Sequence, residues 1–227
     1  KELTSDRPKA LVELNKQPFL EVVIENLISQ NFNHFVINVH HFADKIIDFF
    51  KSKKYENVEI EISDERDFLY NTGGAIINAL PYFKESEAVL IHNVDIISDI
   101  DFQSIYDNFI KSDDAAWLLT QNRNNKRKIV FDENDNFVGR LNLETNEYDG
   151  EKPFNDNFKL LSFSGLHIIK PEYFKDFEPS ACYVFDLYKA IARKESVRSK
   201  LTEANYWFDL GTQEQLKEAS SWLLSKK

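Results

Sequence analysis

The sequence predicts an α/β protein built on a mixed, mainly parallel β-sheet with helices on both faces. Three observations predict it. Up to residue 121, β-branched apolar stretches alternate with stretches whose apolar residues recur at i, i+3, i+4 and i+7, and such alternation requires crossover connections. Residues 88–91, Ala-Val-Leu-Ile, are bounded by polar residues and read as a strand buried on both faces in the middle of a parallel sheet. Beyond residue 121 the pattern changes to two β-rich runs around the turn Asp132-Glu-Asn-Asp-Asn, a hairpin.

The elements follow in order. Residues 1–17 form an irregular lead-in in which Pro8 fixes its own φ and sends Lys9 off a rigid turn. From Pro18, Leu20, Val23, Ile24 and Leu27 make the stripe of an amphipathic helix. Residues 34–39 are a β-branched strand, and Ala43, Ile46, Ile47 and Phe50 mark a second helix. Residues 58–62 alternate apolar and charged side chains, the pattern of an edge strand with one wet face. Gly73 and Gly74 precede an apolar helix over residues 75–80, so their backbone N–H groups are expected to approach a ligand at a helix N-terminus. The strand at 88–91 then delivers Asp95 to its carboxyl end, where open α/β sheets bind ligands; capping the next helix is the rival role for this acid.

Residues 101–112 read as a helix, 115–121 as a strand, and 127–131 with 137–141 as the hairpin. A long strand over 159–169 carries Gly165 at its centre, where glycine marks a bulge or a close approach to ligand. Helices follow at Pro171 and over 184–193. The chain closes with the aromatic strand Tyr206-Trp-Phe-Asp209, and Thr212 with Gln215 form a capping box for the last helix. A structural role is open to Asp209, but it follows a strand as Asp95 does, which favours two carboxylates converging on one magnesium ion.

Composition narrows the function. A net charge of −10 argues against a general nucleic-acid binder and against adhesion to an anionic membrane, while small anionic substrates need only local cations or a metal. No apolar run approaches the roughly 20 residues of a membrane span. The single Cys182 allows no internal disulfide and fits a cytoplasmic setting. It has no neighbouring His to activate it, and no Gly-x-Ser-x-Gly elbow is present, so a covalent mechanism is not indicated. The sequence holds no Met, even at position 1, and an N-terminal segment is expected to be missing ahead of Lys1. His40 and His41 would point to opposite faces of a continuing strand and do not suggest zinc; His92 and His167 read as satisfied strand imidazoles. The basic cluster Arg123, Lys126, Arg127 and Lys128 reads as a solvated loop, with Arg127 the member that could reach a substrate phosphate.

Taken together, Pro8-Lys9, Thr72-Gly73-Gly74, Asp95 after its strand, Ser164-Gly165-Leu166 and Trp207-Phe-Asp-Leu-Gly-Thr212 resemble the nucleoside diphosphate sugar pyrophosphorylases, most of all their short bacterial uridylyltransferase branch. The resemblance covers essentially the whole chain. It implies a Rossmann-like three-layer nucleotidyltransferase fold in a single domain over 1–227. Within it, residues 1–121 would serve the nucleotide, 122–205 the sugar, and 206–227 would supply the closing strand and helix. It implies a cytoplasmic enzyme of cell-envelope biosynthesis that joins a nucleoside triphosphate to a sugar 1-phosphate with Mg²⁺, with no nucleic-acid or membrane partner.

By the same resemblance Asp95 and Asp209 hold the metal and, with Lys9, are the catalytic residues. Lys9, Thr72, Gly73, Gly74 and Asn93 bind nucleotide, while Glu151, Lys152 and Gly165 bind the sugar phosphate. The family's glycine-rich phosphate loop would lie ahead of Lys1, and Val94 and Asn71 stand where the family usually has Gly and Glu. Two rivals are a phosphocholine cytidylyltransferase and a non-catalytic regulatory subunit that binds nucleotide sugars. The joint presence of Lys9, Asp95 and Asp209 favours catalysis over the latter.

Overall fold

The apolar periodicities place most elements where a computed structural model finds them; it describes residues 4–225. The expected segment ahead of Lys1, and the extreme ends of the 1–227 range, lie outside the described residues. In chain order the first elements are β1 (Glu13–Leu14), β2 (Gln17–Pro18), α1 (Phe19–Ile28), β3 (His34–Val39), α2 (Ala43–Lys51) and β4 (Glu59–Asp64). Next come α3 (Asn71–Ala79), β5 (Val89–His92), β6 (Ile96–Ser98), α4 (Phe102–Phe109), β7 (Ala116–Gln121), β8 (Arg127–Phe131) and β9 (Phe137–Asn142). The chain ends with β10 (Glu147–Gly150), β11 (Lys159–Ile169), α5 (Val184–Ala192), β12 (Val197–Leu201), β13 (Trp207–Asp209) and α6 (Gln213–Ser225).

The chain folds as two compact units, each drawn from separate stretches. The first comprises Lys1–Leu69, Asn93–Gln103 and Ala204–Lys227 as far as these are described, and the second comprises Tyr70–His92 and Ser104–Glu203. The expected boundary between residues 121 and 122 falls inside the second unit, because β11 binds β7 on one edge and β8 on the other.

In the first unit, β3 and β4 pair in parallel from His34 opposite Glu59 to Val39 opposite Asp64. Helix α1 buries Leu20, Val23, Ile24 and Leu27, the stripe read from the sequence. The last strand, β13, lies antiparallel to β6, with Trp207 opposite Ser98 and Asp209 opposite Ile96. Asn26 of α1 donates from its amide to the Ser98 carbonyl at 3.4 Å, tying the helix to this ribbon. The capping box forms as expected: Gln215 N donates to Thr212 Oγ1 at 3.2 Å, and Thr212 N donates to Gln215 Oε1 at 3.0 Å. The strand through residues 34–39 stops before the histidines, so His40 Nδ1 donates to the Glu65 carbonyl at 2.7 Å while His41 packs on Phe42.

The second unit is organised around a seven-stranded mixed sheet in the order β10-β9-β8-β11-β7-β12, with β5 also on β11. From the pairings, β5, β7, β8, β10 and β12 run one way and β9 and β11 the other, although β7–β12 is the hydrogen-bonded parallel pair in this sheet. The fold class is therefore α/β with a mixed sheet whose strands mostly share one direction. Within this sheet, β7 is buried along its whole length. β5, expected at the centre of a parallel sheet and covered on both faces, instead pairs antiparallel with β11, and Leu90, Ile91 and His92 remain half-buried. Composition alone made 88–91 look central; its hydrogen-bonded neighbour among the described residues is β11. Aromatic side chains fill the space under the sheet, with Phe131, Phe137, Phe174 and Tyr188 in edge-on contacts. His167 is buried against the Tyr188 hydroxyl, and burial drives its pKa down to about 3, so the imidazole is neutral.

Asp114 locks the parallel pair β7–β12. Its carboxylate accepts from Trp117 Nε1 at 2.6 Å, Ser196 Oγ at 2.6 Å and Arg198 Nε at 2.8 Å. Burial alone would raise its pKa, but these donors outweigh it and hold the group below the ordinary value of 3.8. A carboxyl with a depressed folded-state pKa stabilises the fold above its unfolded pKa, and the contribution fades as pH falls through about 4 toward the folded value. Denaturant midpoints measured against pH should therefore show the stability gap between wild type and Asp114→Asn closing below about pH 4. A gap that stays constant down to acid would refute this role.

Candidate active site

The first unit gathers Lys9, Asp95 and Asp209. Pro8, extended at φ −68° and ψ 152°, leads into a 3-10 turn that Lys9 opens, and Leu11 N donates back to Pro8 O at 3.0 Å. Asp95 lies in the turn between β5 and β6, where Ile96 N donates to Asn93 O at 3.1 Å. Across the ribbon, Leu210 N donates to the Asp95 carbonyl at 2.8 Å, so the residue after Asp209 is tied to Asp95 itself. The Lys9 ammonium forms an ion pair with the Asp95 carboxylate, the two side chains being 33% and 22% exposed. A methyl group built on Gly211 would lie 3.2 Å from Asp209 Oδ1 and 3.9 Å from Lys9 Nζ, so both polar groups border the same point.

Two carboxylates and one ammonium leave a net negative charge there, with oxygen donors for a hard cation and an ammonium for an anion. Among the described residues no group of three or more His, Cys, Asp or Glu is placed to hold a metal ion. The donor set still fits magnesium, which is commonly held by one or two carboxylates while waters and substrate phosphates complete its shell.

Thr72, Gly73 and Gly74 sit differently from the expected loop: all three lie inside the first turn of α3. The glycines make room for the segment that precedes α5. A Cβ at Gly73 would lie 2.8 Å from the backbone of Tyr183 and 2.9 Å from Cys182 Sγ, and one at Gly74 would meet Ser180 O at 1.9 Å. Gly73 N donates to Cys182 O at 2.9 Å, and Gly74 N points to the same carbonyl at 3.4 Å. Thr72 Oγ1 accepts from Val184 N at 3.1 Å. The expectation that these N–H groups face a ligand is therefore corrected: a neighbouring segment occupies them. Asn93 is exposed at the turn leading to Asp95.

The three expected sugar-phosphate residues do not come together. Glu151 pairs with Arg193 through two contacts of 3.0 Å, and Lys152 Nζ donates to Asp132 Oδ2 at 3.3 Å. Strand β10, which the sequence reading missed, folds back on β9 until Gly150 lies opposite Gly139, and Glu151 N then donates to Val138 O at 3.1 Å. That carries residues 151 and 152 to the β8–β9 turn, beside Phe131, whose partner on β11 is Lys159. Gly165 is six residues further along β11, about 20 Å away at the usual rise of an extended strand. One sugar phosphate cannot span that distance, so Glu151 and Lys152 do not join Gly165 in a single subsite. Gly165 is buried, at φ +82°, in the stretch where the β11–β7 register shifts.

Two cations read as solvated prove to be half-buried near Gly165. Arg123 Nη2 donates to Phe163 O at 2.7 Å, and Lys128 Nζ donates to Arg123 O at 2.6 Å and to Ser162 Oγ at 3.1 Å. Lys126 and Arg127 are exposed, as expected. The signal for Lys128 was its place one residue before the apolar run Ile129-Val-Phe131 of β8.

An α/β chain that sets a lysine among paired carboxylates at strand ends has the equipment of a phosphate-handling protein. The chain belongs to the nucleotidyl transferase family, whose model matches residues 1–226. It is 36% identical over 97 residues to N-acetylmuramate alpha-1-phosphate uridylyltransferase of Caulobacter vibrioides, a match covering 42% of this chain and 40% of that protein. It is 26% identical to D-glycero-alpha-D-manno-heptose 1-phosphate guanylyltransferase of Campylobacter jejuni, over 94% of this chain and 90% of that one. The chain spans about half or less of the length of the first curated relatives it matches. In fold it resembles HddC from Yersinia pseudotuberculosis, with a TM-score of 0.76 at 21% identity over 97% of this chain and 93% of that one, a protein also solved in complex with GMP-PN.

Proposed function

We infer that this chain catalyses attack of a sugar 1-phosphate oxygen on the α-phosphorus of a nucleoside triphosphate. A new P–O bond forms as the bond between the α-phosphorus and its bridging oxygen breaks, and pyrophosphate leaves with that electron pair. The observation that carries the reading is the convergence of Lys9, Asp95 and Asp209 from three separate stretches of chain. Both substrates are anionic, so the rate depends on positioning and on offsetting charge.

Asp95 and Asp209 would hold Mg²⁺, which supplies Lewis-acid polarisation of the phosphate oxygens when bound. Lys9, seated on Asp95, would neutralise triphosphate oxygens. The exposed Asn93 and Thr72 are the residues proposed for base and ribose, with Gly73 and Gly74 supporting Thr72 from within α3, and the Gly165 backbone for the sugar. In this proposal 1–227 acts as one functional nucleotidyltransferase domain. The names of the relatives, which carry sugar 1-phosphates with uridylyl or guanylyl transfer, support this substrate class. A cytoplasmic role supplying nucleotide sugars for the cell envelope belongs to the same reading. Among the described residues no helix is long and apolar enough to cross a membrane.

The test is a matrix of nucleoside triphosphates against sugar 1-phosphates, with phosphocholine and CTP as one arm, run on the full-length protein with and without chelator. Pyrophosphate release with at least one sugar 1-phosphate, abolished by chelator and restored by Mg²⁺, is expected. No release with any sugar 1-phosphate would overturn the reading.

A further inference from the structure

Gly211 lies between Asp209 and α6, exposed to solvent, and its backbone is not in the left-handed region that calls for glycine; Gly139 and Gly165 are the described glycines with positive φ. At Gly73, Gly74 and Gly139 an added Cβ would run into backbone. At Gly211 it would meet the ends of three polar side chains instead: Asp209 Oδ1 at 3.2 Å, Gln215 Oε1 at 3.4 Å and Lys9 Nζ at 3.9 Å. Neither backbone conformation nor apolar packing requires glycine here. Its effect is to keep side-chain atoms out of one point bordered by a carboxylate, an amide and an ammonium, all within the first unit.

The groups around that point keep hydrogen-bonding capacity to spare. The half-buried Asp209 carboxylate accepts from no side chain or backbone donor among the described residues. Gln215 Oε1 accepts from Thr212 N at 3.0 Å, which fixes the half-buried side chain, while its amide N–H groups donate to no described residue. Lys9 commits one of three ammonium donors to Asp95. An oxygen close to the point would accept from the amide and the ammonium, and as a water it would also donate to Asp209.

A capping box is served equally by Glu or Gln at this position. Glutamate would add a third carboxylate beside Asp95 and Asp209. Glutamine keeps the cap, leaves the charge of the site unchanged and supplies N–H donors that glutamate lacks.

We propose that Gln215, in the space kept by Gly211, seats one oxygen of the cation–triphosphate complex, either a cation-bound water or a phosphate oxygen. The proposal rests on the function inferred above and gives Gln215 a role in ligand binding beyond capping α6.

Calorimetric titration of the full chain with Mn²⁺ alone, and with ATP, CTP, GTP, UTP and dTTP each in the presence of Mg²⁺, tests this. Gly211→Ala suits the backbone and should melt at or above the wild-type temperature, yet weaken triphosphate binding roughly tenfold or more by filling the point. Gln215→Glu retains the cap and should melt with wild type. Its added charge should tighten Mn²⁺ binding and weaken triphosphate binding, each roughly two- to fivefold, the scale of a partly exposed charge pair. A residue that only capped α6 would shift neither affinity. Gln215→Leu separates the two sources of the oxygen. Weaker binding of Mn²⁺ alone assigns it to a cation-bound water, whereas a loss confined to the triphosphate assigns it to phosphate.

Wild-type turnover with a sugar 1-phosphate, together with Gly211→Ala and Gln215→Glu binding Mn²⁺ and triphosphate as wild type does, would overturn this inference and leave the proposed function standing. A wild-type protein that binds neither Mn²⁺ nor any triphosphate would remove both. Should Gly211→Ala melt early, Gln215→Glu carries the test by itself.

Discussion

Asp95→Asn and Asp209→Asn should each lower pyrophosphate-releasing turnover by about a hundredfold or more, the scale on which single electrostatic groups act in a water-poor site. Each change removes one of two charged oxygen donors while preserving side-chain volume. Asp95→Asn also strips Lys9 of its partner carboxylate, whereas Asp209→Asn leaves that ion pair in place. If Lys9 works through its contact with Asp95, the first variant should suffer an additional loss of affinity for the triphosphate that the second does not. Both proteins should remain folded, because partly exposed ion pairs contribute only about 0–1 kcal/mol. Thermal melts beside steady-state kinetics make the comparison, and rates equal to wild type in either variant would withdraw the metal assignment.

Gly74→Ala is the substitution expected to cost most in stability. Alanine is the better helix former by about 1 kcal/mol, and Gly74 lies within α3, so propensity alone predicts a gain. Sterics decide the other way. The added carbon would fall 1.9 Å from Ser180 O, with Ser180 C and Tyr70 Cβ each at 3.0 Å, and a backbone carbonyl cannot swing aside as a side-chain tip can. Overpacking of this kind typically costs about 1–3 kcal/mol, and with backbone on the far side the upper end applies. For a chain of this size that is a fall in melting temperature of roughly 6–12 °C. A melting temperature equal to or above wild type would show that the segment at residue 180 yields freely.

Much of this architecture was legible because periodicity reports burial. The stripe Leu20, Val23, Ile24, Leu27 gave α1, and the β-branched run at 34–39 gave β3 to the residue. The hairpin β8–β9 was announced by its turn of Asp and Asn. The misses share a cause. β6 has three residues, β10 reads Glu-Tyr-Asp-Gly, and β12 reads Val-Arg-Ser-Lys-Leu, so none carries enough apolar residues to show a pattern, and their strand character comes from their neighbours.

For the candidate site, Asp95 and Asp209 could be read because one follows an apolar strand and the other closes an aromatic one, and their approach depends on one pairing, β6 with β13. The separation of Glu151 and Lys152 from Gly165 was not legible because a short motif says nothing about register: β10 turns the chain back and carries them toward the other end of β11. Gly73 and Gly74 were singled out correctly as a close approach of backbone, but the approaching partner is the chain itself. Arg123 and Lys128 stayed hidden because a charged cluster in a sequence looks the same whether water or a carbonyl receives it.

The order in which the polypeptide emerges from the ribosome gives the β6–β13 ribbon a further consequence. Every strand of the seven-stranded sheet has been synthesised by Leu201, whereas Asp209 must still arrive to meet an acid 114 positions earlier. A nascent or prematurely terminated product ending near residue 203 can therefore assemble that sheet while lacking the second carboxylate altogether. Any chemistry that needs both carboxylates therefore waits until this ribbon has closed.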